Sequence, residues 1–155
     1  MMVSQCTVGA RLGECLSERK GQIMAKWVNA MQSDPRHTPA KRLDEVELRD
    51  HFEEILDYLK ATLLKAFDPE IKQGMRATAS AHGRTRRQQG YDLDQLLSEF
   101  SHLRSEIIVV LAEFFELNPE VGGAARIYAS TTIHRYFDDA MRASVAEYLR
   151  ALGCG

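Results

Sequence analysis

The sequence predicts an all-α protein: five helices, four of them forming a bundle core with the first packed beside it. Three observations carry this. Apolar residues recur at three- and four-residue spacing through the long segments of the chain. Helix-breaking pairs fall between those segments, at Asp68-Pro69, Asn118-Pro119 and Gly122-Gly123. No stretch alternates apolar and polar residues with the period of a strand, and no internal repeat is present. Pattern alone leaves a globin-like crossing of the helices open as an alternative.

Residues 1–15 are expected to be a flexible N-terminus, small and polar with Gly9 and Gly13, ahead of a single domain over 16–152. The first helix is predicted from about Leu16 to Gln32, with Leu16, Ile23, Trp27 and Met31 along one side and Trp27 as its packing anchor. Ser33 to Pro39 reads as a loop, since both prolines and the residues before them resist helix. Asp44 can cap a second helix running to about Phe67, with Leu48, Phe52, Ile55, Leu56, Leu59 and Leu63 inward. Its acidic first half, from Asp44 to Asp57, suits the helix dipole and faces solvent. Proline at position 69 opens the third helix, which Gln89-Gly90 closes.

Asp92 or Asp94 can cap the fourth helix, whose apolar residues run from Leu93 to Phe115 over about six turns. The last helix is predicted from about Ala124 to Leu152. Its row Ile127, Thr131, His134, Asp138, Met141, Val145, Tyr148, Leu152 follows a heptad register. Met141, Val145, Tyr148, Leu149 and Leu152 make an apolar end, so homodimerisation through the first and last helices is expected.

Composition narrows the function. The 155 residues include 45% hydrophobic and 27% charged, which is ordinary for a globular domain, and carry a formal charge of −2. That balance argues against nucleic acid as a partner. No apolar run approaches the roughly 20 residues that span a bilayer, and no signal-peptide core is seen, so no membrane contact and a cytoplasmic location are expected. Cys6, Cys15 and Cys154 read as reduced thiols and not as a zinc site, with an intermolecular bond left open.

Several polar side chains fall on inward faces. On the third helix His82, Arg86 and Gln89 continue the row of Ile71, Met75 and Ala79, while Arg84 and Arg87 point away. Arg104 falls inside the apolar arc of the fourth helix, between the directions of Leu97 and Phe100. The last helix supplies His134 and Asp138. A buried charge requires a partner, so Asp138 is expected to pair with Arg86 or Arg104 in the core. With His82, Gln89 and His134 formally neutral, one positive charge is left over. Glu99, at the edge of its arc, can cancel it. Turned outward, Glu99 would leave the surplus to a small carboxylate or phosphate between the third, fourth and last helices.

These residues offer little chemistry. His134 and Asp138, at i and i+4, could form an oriented pair, but no nucleophile or metal-ligand set stands beside them. Enzymatic activity is therefore not expected, nor is a phosphoacceptor histidine. No cofactor is expected either: haem through His82 or His134 is the weaker reading beside a satisfied core histidine.

His82-Gly83, Arg86, Gln89-Gly90-Tyr91, Asp92-Leu93, Glu99-Phe100 and Leu103-Arg104 resemble the N-terminal domain of RsbRD-type RsbT co-antagonists. The same domain stands at the front of many bacterial sensor histidine kinases. Trp27, Asp138, Val145 and Tyr148 fit its looser pattern, and the resemblance covers roughly residues 20–150. It implies a helical, non-catalytic sensory or regulatory input domain of a bacterial signalling or stress-response protein, acting through its C-terminal helix on a downstream kinase or regulator. The alternative is a purely structural interaction module. This chain ends at Leu152-Gly-Cys-Gly155 without such a downstream domain, so it is expected to be a piece of a longer protein or to act alone.

Overall fold

Three of the helices are capped by an aspartate directly ahead of them. In the computed structural model, which describes residues 5–65, 68–151 and 153, Asp44 accepts from the Glu47 N–H at 2.8 Å and the Glu47 carboxylate accepts from the Asp44 N–H at 3.1 Å. That reciprocal pair starts α3, Glu45–Leu64. Asp68 accepts from the Glu70 and Ile71 N–H groups with Pro69 next to it, and α4 runs Pro69–Gln88. Of the two candidates for the next cap it is Asp92, paired reciprocally with Gln95, that opens α5, Leu93–Leu117. Gly90, at φ 87°, makes the left-handed turn between α4 and α5.

The remaining helices are α1, Gln5–Glu18, α2, Lys20–Ser33, and α6, Gly123–Ala151, with a short 3₁₀ turn at Pro39–Arg42. The described residues form an all-α bundle of six α-helices. α3, α4, α6 and α5 make the main body. α4 lies chiefly on α6 and α3, α5 packs on α6, and α1 and α2 cover the body from α3 and α5. No described helix is long and apolar enough to cross a membrane. Phe67, Leu152, Cys154 and the Cys6 side chain lie outside the described residues. Cys15 is a free, half-buried thiol.

The N-terminus departs from expectation. Residues 5–15 are helical, and the expected first helix is two, separated at Arg19 (φ −98°, ψ 4°). The two glycines that suggested fraying are close-approach sites. A Cβ at Gly9 would lie 2.1 Å from the Leu63 carbonyl oxygen, and one at Gly13 3.2 Å from Lys60 Cγ. Beside them Val8, Leu12 and Leu16 are buried at i, i+4 and i+8, a helical signal that the glycines obscured. The inner stripe of α3 is as expected: Leu48, Phe52, Ile55, Leu56, Leu59 and Leu63 are all buried.

The buried face of α6 is not the heptad row. It is Ala125, Ala129, Ile133, Tyr136, Phe137, Ala140, Ser144 and Tyr148. Ile127 is 68% exposed, His134 and Asp138 are exposed, and Met141 and Val145 are only half buried. Large apolar residues at heptad spacing suggested the wrong face, because small side chains let α6 approach α4 closely. At Gly83 of α4 a Cβ would stand 2.1 Å from the Ser144 carbonyl oxygen. Of the residues expected to form a dimer face, Tyr148 is buried and donates its hydroxyl to the Tyr91 carbonyl at 2.8 Å.

Candidate functional site

Three ionisable side chains from α4 and α5 meet in the core with no exposed surface: His82, Arg86 and Glu99. Helical spacing puts His82 and Arg86 one turn apart on the inner face of α4. Glu99 comes from the facing turn of α5. Arg86 Nε donates to both Glu99 oxygens, at 2.9 and 3.1 Å, and Glu99 Oε1 lies 3.3 Å from His82 Nε2. An ionised carboxylate only accepts, so His82 holds its proton on Nε2 and donates it. Its Nδ1 has no partner among the described residues.

The rest of the guanidinium is also occupied. Nη1 donates to Gln89 Oε1 at 2.7 Å and the Glu47 carbonyl at 3.3 Å, and Nη2 to the Leu48 carbonyl at 2.7 Å. Those two carbonyls explain why an arginine sits here. In an unbroken helix they would accept from the N–H groups of His51 and Phe52, but Asp50 departs from helical geometry (φ 9°, ψ −109°) between them. Arg86 thus caps a break in α3 while it neutralises Glu99 on α5.

Aromatic groups close the site. His82 packs edge-on against Phe52 and Phe100, with ring centroids 4.4 and 5.6 Å away. Tyr91 lies under Arg86, whose Cζ is 4.9 Å from the ring centroid. Trp27 Nε1 donates to the Glu99 backbone carbonyl at 3.0 Å, so α2 fixes the α5 turn that carries the carboxylate. Trp27 is therefore an anchor, with Phe52 4.7 Å from its ring.

Burial pushes the His82 imidazole down to about 4, against the pull of Glu99. Burial alone would raise the Glu99 carboxyl, but Arg86 and the His82 hydrogen bond hold it below the usual carboxylate range. Burial and then the Glu99 charge raise the Tyr91 phenol. The cluster at neutral pH is one cation, one anion and a neutral imidazole.

The expected set of seven site residues therefore divides. His82, Arg86, Gln89 and Glu99 come together. Arg104, His134 and Asp138 do not join them. Arg104 Nη1 does reach Asp138 Oδ1, at 3.4 Å, but at the surface, with the two side chains 27% and 59% exposed. Glu99 turns inward and answers Arg86, so no surplus positive charge remains in the core to seat an anion between α4, α5 and α6. The apolar arc of α5 has two edges. α2 covers the Glu99 edge through Trp27, and the Arg104 edge borders solvent. Asp138→Ala is accordingly expected to lower stability by at most about 1 kcal/mol, not the several of a broken buried pair, as chemical denaturation would measure.

Residues 21–153 match a family described as the RsbT co-antagonist protein RsbRD N-terminal domain. The chain belongs to that family. No curated protein and no solved structure matches it. Within this RsbRD-type domain, most of the residues that carried the resemblance have structural work. His82, Arg86 and Glu99 form the ionic cluster, Gly83 allows the contact with α6, Gly90 turns the chain, Asp92 caps α5, and Phe100 and Leu103 are fully buried.

Sequence reasoning missed one buried histidine of the RsbRD-type domain. His37, in the proline-flanked loop, is 1% exposed, and its Nε2 lies 3.0 Å from Ser98 Oγ on α5. No periodicity marks a residue in such a loop, so the sequence carries no signal for it. Among the described residues no three His, Cys, Asp or Glu side chains group as a metal ion would require.

The pH dependence follows from the two histidines. Both have folded-state affinities for protons lowered by burial. The unfolded chain then binds protons first as pH falls below about 6.5, and stability is lost from there down towards pH 4. Glu99, whose carboxyl is lowered, adds loss in the same direction at more acidic pH. Urea midpoints measured from pH 8 to 4 are expected to fall with acid, and less steeply in His82→Gln. A midpoint that rises with acid would contradict this.

Proposed function

We propose that this chain is a non-catalytic regulatory input domain of a bacterial stress-response or histidine-kinase signalling protein, working through protein contacts made with the end of α6. One observation carries the reading: the ionisable centre of the family motif, His82, Arg86 and Glu99, is fully buried and paired within itself, while its more exposed members Asp92 and Arg104 are engaged in a helix cap and a surface ion pair. The same network reaches α6. The Tyr148 hydroxyl holds the Tyr91 carbonyl, Arg87 stands 5.5 Å over the Tyr148 ring, and Arg84 donates to Glu147 at 3.1 and 3.0 Å. A change in the packing of α4 against α6 is thereby coupled to the last turns of the chain, and no cofactor enters the scheme.

The family description supplies the test. Sedimentation velocity of the chain with the RsbT protein of its own organism, or with a histidine kinase there that lacks such a domain, is expected to show a complex with one of them. Independent sedimentation of all components at tens of micromolar would overturn the reading. Self-association belongs to the same proposal. Met141, Val145 and Leu149 line one outer stripe of α6 at i, i+4 and i+8, with Leu149 40% exposed. Light scattering is expected to return a dimer, which Leu149→Glu would dissociate; a monomer across micromolar to millimolar concentration removes that part.

A further inference from the structure

Between the last turn of α3, the first turns of α4 and the middle of α6 lies a cavity of about 170 Å³. It shares no residue with the ionic cluster. Its inner end is apolar: Met75 and Tyr136 are buried and Ile71 is half buried. Its mouth is cationic, with Lys65, Lys72 and Arg135 all exposed.

The hydrogen-bonding state of the lining decides what would fit. Tyr136 donates its hydroxyl to the Ile55 carbonyl, and Thr62 and Thr132 donate theirs to carbonyls of their own helices. The Asp68 carboxylate is occupied by the α4 N-terminus. Asp139 is shared between Lys72 at 3.6 Å and Arg76 at 3.7 Å. Among the described residues, Lys65, Arg135 and the hydroxyls of Thr131 and Tyr128 have no partner. The carboxylates of the lining are engaged, while two cations and the hydroxyls of Thr131 and Tyr128 are not.

We propose that this cavity binds a small monocarboxylate with a compact apolar body, aromatic or branched aliphatic. The size agrees: in another protein a cavity of about 150 Å³ admits benzene. The apolar body covers Ile71, Met75 and the Tyr136 ring. The carboxylate lies at the mouth, where the planar fork of Arg135 matches its two oxygens and Lys65 adds charge. Inorganic phosphate satisfies the mouth but leaves the apolar end wet, so it is the poorer ligand. Bound there, the ligand joins α6 to the end of α3 through its carboxylate and to α4 through its apolar body. The binding itself does not rest on the regulatory reading, and it is measured without any protein partner.

Titration calorimetry with benzoate, isovalerate, benzyl alcohol and phosphate tests this on the whole chain. Benzoate or isovalerate is expected to bind saturably at one site, with benzyl alcohol and phosphate each weaker by roughly tenfold or more, the loss of one charge-assisted contact or of the apolar one. The double variant Lys65→Gln/Arg135→Gln, at two exposed positions, is expected to lose about tenfold in benzoate affinity. Ile71→Trp, which fills the cavity, is expected to abolish binding, while Arg104→Gln on a different face leaves it unchanged. The absence of saturable binding by either carboxylate overturns the proposal. So does benzoate affinity that is equal in the wild type and the double variant, or benzyl alcohol that binds as well as benzoate.

Discussion

Arg86→Met is expected to lower stability by roughly 3–5 kcal/mol, the cost of removing one partner from a buried ion pair. The change leaves Glu99 fully buried with only the His82 hydrogen bond, and strips donors from the Glu47 and Leu48 carbonyls and from Gln89. Methionine is close to the arginine stem in volume, so the effect reports lost charge and hydrogen bonds and not a cavity. Arg86→Lys is expected to rescue little. A single ammonium cannot serve the carboxylate and two carbonyls of α3 that the planar fork reaches together. Urea unfolding of Arg86→Met, Glu99→Gln and the double variant measures the coupling. The double variant is expected to cost clearly less than the sum of the singles, because it no longer contains a bare buried charge. Additive losses would mean that the pair does not work as a unit.

Gly83→Ala is expected to cost about 3 kcal/mol or more, at or above the upper end of ordinary overpacking. The new Cβ meets backbone: it stands 2.1 Å from the Ser144 carbonyl oxygen and 2.8 Å from its carbon. A side chain could rotate away, but α6 as a whole must move. Displacing it also strains the Tyr148–Tyr91 and Arg84–Glu147 contacts that fasten its last turns. Gly21→Ala in α2 is the matched control. Nothing lies within 4 Å of its added methyl, so helix propensity alone predicts a gain of up to about 1 kcal/mol. Thermal melts of the two variants are expected to move in opposite directions. A Gly83→Ala protein as stable as the wild type would show that the α4–α6 contact is looser than described.

The sequence by itself determined what depends on local chemistry. Asp44, Pro69 and the pair Asp92/Asp94 mark helix starts, because a carboxylate just ahead of a helix reaches its first free N–H groups and proline suits the first helical position. The structure chose Asp92 and added Asp68 as a cap. Gly90 fixes a helix end because it tolerates positive φ. The α3 stripe was legible because six apolar residues at helical spacing admit one buried face. The inward row of α4 was legible in the same way, with Ile71, Met75 and Ala79 pointing to His82, Arg86 and Gln89. Tertiary structure decided what depends on a neighbour. Arg104 and Glu99 sit on opposite edges of one apolar arc, and periodicity ranks Arg104 the more inward. Trp27 of α2 covers the Glu99 edge instead, which makes Glu99 the counter-ion of Arg86 and leaves Asp138 to a surface pair. Gly9 and Gly13 read in isolation as flexibility, and Gly83 gave no packing signal. Only the approach of Leu63, Lys60 and Ser144 turns them into contact points, because a missing side chain has no signature until another helix occupies its place.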